Sequence, residues 1–172
     1  MNLTTATPPN QDRIERIDAA LAADPDGVIE AIAAKAGATY ADVLARLPAE
    51  AAPSVPGDRF EAVWSELANW GPVLFLVHTA AGVFEIDTAL PPGSFGRGWF
   101  NIHGPAPLHG HIAAERCAAI HFVDRPFFGR RSCSIQFVDV DGAAMFKVFV
   151  RRAADRSLDP EQLARFEALR PL

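Results

Sequence analysis

The chain of 172 residues has two cysteines, Cys117 and Cys133, too few to build a disulfide framework. Neither lies in C-x-x-C or C-x-x-C-H spacing, which argues against a paired-cysteine zinc site and against thioether attachment of a prosthetic group. Both are expected to be small core residues in a reducing, cytoplasmic compartment. Long apolar runs are also missing. The longest, Pro72 to Val77, is far too short to cross a bilayer, and no basic segment followed by an apolar stretch opens the chain, so secretion is not expected. Catalytic signatures are absent as well: there is no G-x-S-x-G elbow, no G-x-x-x-x-G-K-[ST] loop and no G-x-G-x-x-G after a strand. The Gly-rich Gly93–Gly98 leads into a strand, so no helix N-terminus waits there for a phosphate.

Basic residues are scarce in the first seventy positions. Arg13, Arg16, Lys35, Arg46 and Arg59 stand there against eleven acids, whereas the remainder carries eleven basic and ten acidic residues. The formal net charge is -5, and any anionic ligand is expected on the C-terminal part. A helix–turn–helix pattern over Val28 to Leu47 raises a DNA-binding regulator as a remote alternative. Its second helix offers one Arg and one Asp, too little cationic charge for counterion release, so nucleic acid is not an expected partner.

What is present is 49% hydrophobic residues in structured patterns. Residues 1–10 read as a flexible tail. Residues 11–70 read as helices. Ile14, Ile17 and Leu21 make one apolar stripe; Val28, Ile29, Ile32 and Ala36 make a second, entered at Asp24-Pro25 and ended by Gly37. Thr39 and Asp42 suggest a capping box before Val43, Leu44 and Leu47. Ala49–Gly57 reads as a linker, and Phe60, Val63, Trp64 and Leu67 form a fourth stripe. From 71 to 172 the pattern is strand-like: Val73–Thr79, Val83–Ala89, Trp99–His103, His109–Ala113, Ala118–Asp124, Ser132–Val140 and Ala143–Arg151, with Pro91–Gly98 as a loop and Asp141-Gly142 as a hairpin turn. Leu158–Leu169 closes the chain as a helix. Helices before a run of hairpins predict an α+β fold, with N-terminal helices, a curved antiparallel sheet of split-barrel type and a C-terminal helix. Sheets of this kind leave edges that a second copy often covers, so a homodimer is expected.

Five histidines carry the chemical interest: His78, His103, His109, His111 and His121. His109 and His111 would share a strand face and could chelate a metal. Trp99, Asn101 and His103 would share another, an aromatic beside an imidazole that suits the rim of a flat macrocycle. Arg97, Arg116, Arg125, Arg130, Arg131 and Lys147 supply cations that pair with carboxylates.

Four strings fall in order along the second half: GSFGRGWFNIHG, GHIAAERCAAIHFVDRPFFGRR, SCSIQFVDVDGAAMFKVFV and LDPEQLARFEAL. Together they resemble the haem utilisation cytosolic carrier family, of the HutX/ChuX type, over roughly Val28 to Leu169. The resemblance implies a usually dimeric cytoplasmic protein that binds haem non-covalently in bacterial haem uptake and iron utilisation. It would hand that haem to a downstream accepting protein, with no membrane partner. It makes His78 and His111 candidate haem-iron ligands; the strand-face and charge patterns add Trp99, His103, Arg116 and Lys147 as expected haem contacts. Two positions depart from the family: tyrosine is common where this chain has Trp99, and methionine where it has Phe128. Indole has no lone pair free for iron, so ligation at position 99 is lost while stacking remains. Either histidine holds the iron or this member binds haem weakly; histidine is favoured, His111 ahead of His78. A haem-degrading enzyme on a related split-barrel scaffold is the alternative; no reductase or flavin motif accompanies the haem-binding strings, which favours the carrier.

Overall fold

The computed structural model describes residues 9–171. Three helices come first: α1 (Pro9–Ala23), α2 (Ile29–Ala36) and α3 (Tyr40–Leu44). Residues 1–8 of the expected tail lie outside the described residues, and Pro9 and Asn10 already belong to α1. The second helix begins at Ile29, not at Pro25. Asp24–Gly27 is a turn closed by the Gly27 N–H on the Asp24 carbonyl, and the Arg125 guanidinium takes the Pro25 and Gly27 carbonyls, which helix formation would have claimed. Gly37 ends α2 in the left-handed region at φ 63°. Thr39 and Asp42 form the expected capping box on α3.

These helices form a small core of their own against one sheet face. Ile17, Ile29, Ile32, Tyr40, Val43 and Leu44 pack with Val123 and Val138. The apolar faces of the helix–turn–helix pattern are thus spent on packing, and α3, at five residues, is about 7.5 Å long, too short to read a groove.

The large sheet has six antiparallel strands in the order β1-β7-β8-β9-β2-β3. In chain order they are β1 (Ser54–Pro56), β2 (Pro72–Thr79), β3 (Gly82–Ala89), β7 (Cys117–Phe127), β8 (Arg130–Asp139) and β9 (Ala144–Phe149). β1 falls in the stretch expected to be a linker; Ser54, Val55 and Pro56 pair with His121, Ile120 and Ala119 along one edge. A second sheet, β4-β5-β6, holds β4 (Gly93–Gly96), β5 (Trp99–Ile102) and β6 (Gly110–Ile112). β4 lies where a loop was expected. It fits because Phe100 of β5 lies over Gly93, where an added Cβ would sit 2.2 Å from the ring.

α4 (Phe60–Leu67) and α5 (Pro160–Leu169) join both sheets in the main core. Phe60, Trp64, Phe75, Phe100, Phe137 and Phe146 interlock edge-on and stacked, with centroids 4.4–6.1 Å apart. Both cysteine side chains are buried here, as the sequence suggested. α5 is capped by Asp159 and fastened by buried Gln162, whose Nε2 donates to the Trp70 and Pro72 carbonyls.

Candidate functional site

Strand register sets the opposite face of the large sheet. His121, Gln136, Lys147, Leu76 and Glu85 follow one another across β7, β8, β9, β2 and β3, and Val123, Ser134, Phe149, Leu74 and Asp87 form the next row. The first row puts a glutamine and a lysine in the middle of a sheet, and both are buried; Lys147 is 7% exposed. Buried polar groups cost free energy unless they are partnered, and here they find partners in the helices. Tyr40 of α3 donates its hydroxyl to Gln136 Oε1 at 2.5 Å, and Gln136 Nε2 donates to Ser134 Oγ at 2.9 Å. Lys147 Nζ stands 4.8 Å from the Tyr40 ring centroid and 2.6 Å from Glu30 Oε1 in the first turn of α2. His78, at the end of β2, places Nδ1 3.3 Å from the same oxygen. Burial lowers the Lys147 pKa, with Glu30 opposing, and burial raises that of Tyr40 well above its usual range.

Beside this network lies a cavity of about 530 Å³ between the sheet and the Gly27–Ile29 segment. Leu74, Leu76, Val83, Val123, Phe127 and Phe149 give it apolar walls; His78, Lys147, Gln136 and Ser134 add polar groups to the lining. At another part of its lining are Arg125, Arg151 and Arg152. Arg125 is held by helix-loop carbonyls and Arg151 by Asp87. Glu85 and Asp87 also line it, so the feature that stands out is an apolar chamber with one imidazole on its wall, suited to a flat, largely apolar ligand.

The other predicted site residues lie elsewhere. Trp99 and His111 are neighbours on the outer face of the small sheet. Their rings are 6.5 Å apart at 61°, and His111 Nδ1 is 2.6 Å from Asn101 Oδ1. Trp99 is 46% exposed, and Phe100 and Ile102 point into the core, the alternation expected of β5. His103 is exposed just past that strand. Arg116 is committed: it bridges Asp139 and Asp141 at the β8–β9 turn. The structure therefore brings together His78 and Lys147, and separately Trp99 and His111, while Arg116 stands apart from both. No group of three or more His, Cys, Asp or Glu forms a metal cluster among the described residues, so His109 and His111 recruit no third ligand.

Glu30, Tyr40, Ser134 and Gln136 escaped the sequence reading. The alternation Ser132-Cys133-Ser134-Ile135-Gln136-Phe137 was the available signal. By itself it describes a solvated face; only the helices laid over it turn those polar residues into a buried wall.

Residues 53–169 match the family Haem utilisation ChuX/HutX. The chain belongs to that family. This ChuX/HutX member is 34% identical over 140 residues to the intracellular heme transport protein HutX of Vibrio cholerae serotype O1, a match covering 81% of this chain and 72% of that protein. A crystal structure of an Agrobacterium tumefaciens protein superposes with a TM-score of 0.88 at 47% identity, covering 96% of this chain and 98% of that one. The heme binding protein ChuX superposes with a TM-score of 0.80 at 37% identity, over 89% and 96% of the two chains. The helices-first, curved antiparallel architecture is thus the architecture of the family. No helix among the described residues is long and apolar enough to cross a membrane.

Proposed function

We propose that this protein is a cytoplasmic haem carrier that takes up haem non-covalently and releases it intact to an accepting protein. The observation that supports it best is the apolar cavity with His78 on its wall, in a chain whose relatives are named for haem transport and haem binding. The donor set fits the cargo: imidazole for iron and apolar walls for the macrocycle. The Trp99–His111 pair is the second candidate contact. It offers an aromatic face and an imidazole whose Nδ1 is already held by Asn101, and His103 lies at the end of the same strand.

A homodimer fits the same reading. β3 is an edge of the large sheet, eight residues long, and it exposes Val83 and Phe84. An open apolar edge of this length is a surface that proteins normally cover. A sedimentation mass of one chain at micromolar concentration overturns the dimer without touching the carrier.

The carrier reading is tested by adding hemin to purified protein and following the Soret band. Saturable uptake is expected, and His78→Ala should weaken it and move the band maximum; a matching effect of His111→Ala would bring the Trp99–His111 pair into the haem site. A wild-type protein that shows no saturable change does not carry haem.

A further inference from the structure

Glu30 is an odd residue to find under His78. It lies in the first turn of α2, where the positive end of the helix favours a carboxylate. Both of its oxygens are sealed from solvent without a hydrogen bond, and two nitrogens stand within ion-pair distance of Oε1. Those groups are Lys147 Nζ at 2.6 Å and His78 Nδ1 at 3.3 Å. A buried carboxylate left short of donors is costly, so in a neutral His78 ring the nitrogen that faces it is the one placed to carry hydrogen. That leaves Nε2 with its lone pair bare. An imidazole whose other nitrogen is held by a carboxylate is fixed in tautomer and orientation and is a more basic metal ligand. Lys147 is buried over the Tyr40 ring and secures the carboxylate from the sheet side.

We propose that Glu30, anchored by Lys147, is a positioning residue: it fixes His78 with hydrogen on Nδ1 and presents Nε2 to haem iron. This rests on the carrier reading with His78 as a ligand. It also changes the part given to Lys147, whose ammonium serves the carboxylate of Glu30 in place of a carboxylate of haem.

The test compares hemin binding by the full chain as wild type, Glu30→Gln, His78→Ala and the double variant. Glu30→Gln should weaken binding about tenfold. It should also lower the Fe(II)–imidazole stretching frequency in resonance Raman spectra and raise the midpoint potential, because the ligand loses imidazolate character. In the His78→Ala background the same change should alter affinity less than about twofold, as expected of residues acting through one another. Glu30→Gln combined with Lys147→Met leaves no unpaired charge, so the lowered frequency should survive in a variant with near-normal thermal stability. An unchanged frequency in Glu30→Gln, or an equal affinity loss in both backgrounds, overturns the positioning role and leaves the carrier standing. Failure of wild type to take up hemin overturns the carrier instead.

Discussion

Along β8 successive side chains enter two different environments. Cys133, Ile135 and Phe137 point into the aromatic core under α4 and α5; Ser134, Gln136 and, one strand over, Lys147 point toward α2, α3 and the cavity. All six are buried. The first set is held by area and close packing, with no directional partner to lose. The second is held by named hydrogen bonds and one ion pair, and it borders a space that packing has not filled. A strand that is buried on both faces by such different means separates stability from binding: the inner face fixes the sheet, and the cavity face can then carry groups that are costly unless partnered.

That separation yields a graded set of outcomes. The largest is on the inner face. Phe137 touches Phe60 and Phe146, and Phe137→Ala should cost about 3–5 kcal/mol in denaturant unfolding. Hemin affinity per folded molecule should stay close to wild type. If affinity falls in proportion to stability, the two faces are not separate.

Next comes the ion pair. Lys147→Met strands the Glu30 carboxylate in a sealed position and should cost about 3 kcal/mol. Adding Glu30→Gln should return most of that stability. Equal unfolding midpoints for the single and double variants would show that the pair is not what holds α2 to the sheet. A smaller effect attends Gln136→Leu, which deprives the buried Tyr40 hydroxyl of its acceptor. It should cost about 1–2 kcal/mol, and Tyr40→Phe in the same chain should recover part of it.

The fold class was legible because period and punctuation agree with the tertiary structure. The Ile29/Ile32/Ala36 stripe, the Thr39–Asp42 box and the Asp141-Gly142 turn all stand where their local chemistry places them. The failures are places where local chemistry is overruled. β1 has three residues and reads as linker because its only support is the pairing with β7. The β7–β8 hairpin runs three residues beyond the expected end of its first strand. Its turn is Phe128-Gly129, with φ of 47° and 72°, and a phenylalanine in the left-handed region gives no turn signal. The site was half legible. Histidines can be counted in a sequence, but which of them borders a cavity depends on register and on helices packed from far away. Glu30, 117 positions before Lys147, has no local feature that announces the contact.

The smallest effect concerns the polar row where it reaches β7. His121 is partly buried beside Gln136 in the register, with Nδ1 3.3 Å from the Ala52 carbonyl. Burial pushes its pKa down, the Ala52 contact opposing. The folded protein therefore binds this proton less readily than the unfolded chain does. The stability linked to His121 is complete above the unfolded value of about 6.5 and is lost as pH falls from there through the lowered folded value. His121→Gln removes the titration, so its stability should fall less than that of wild type between pH 7 and pH 5, measured by urea unfolding at each pH. Hemin spectra should match in the two proteins, since His121 faces the β1 edge and lies outside the cavity lining. Parallel stability profiles would mean the imidazole is no better hydrated unfolded than folded. A moved Soret band would mean the cargo reaches further along the polar row than the cavity walls allow.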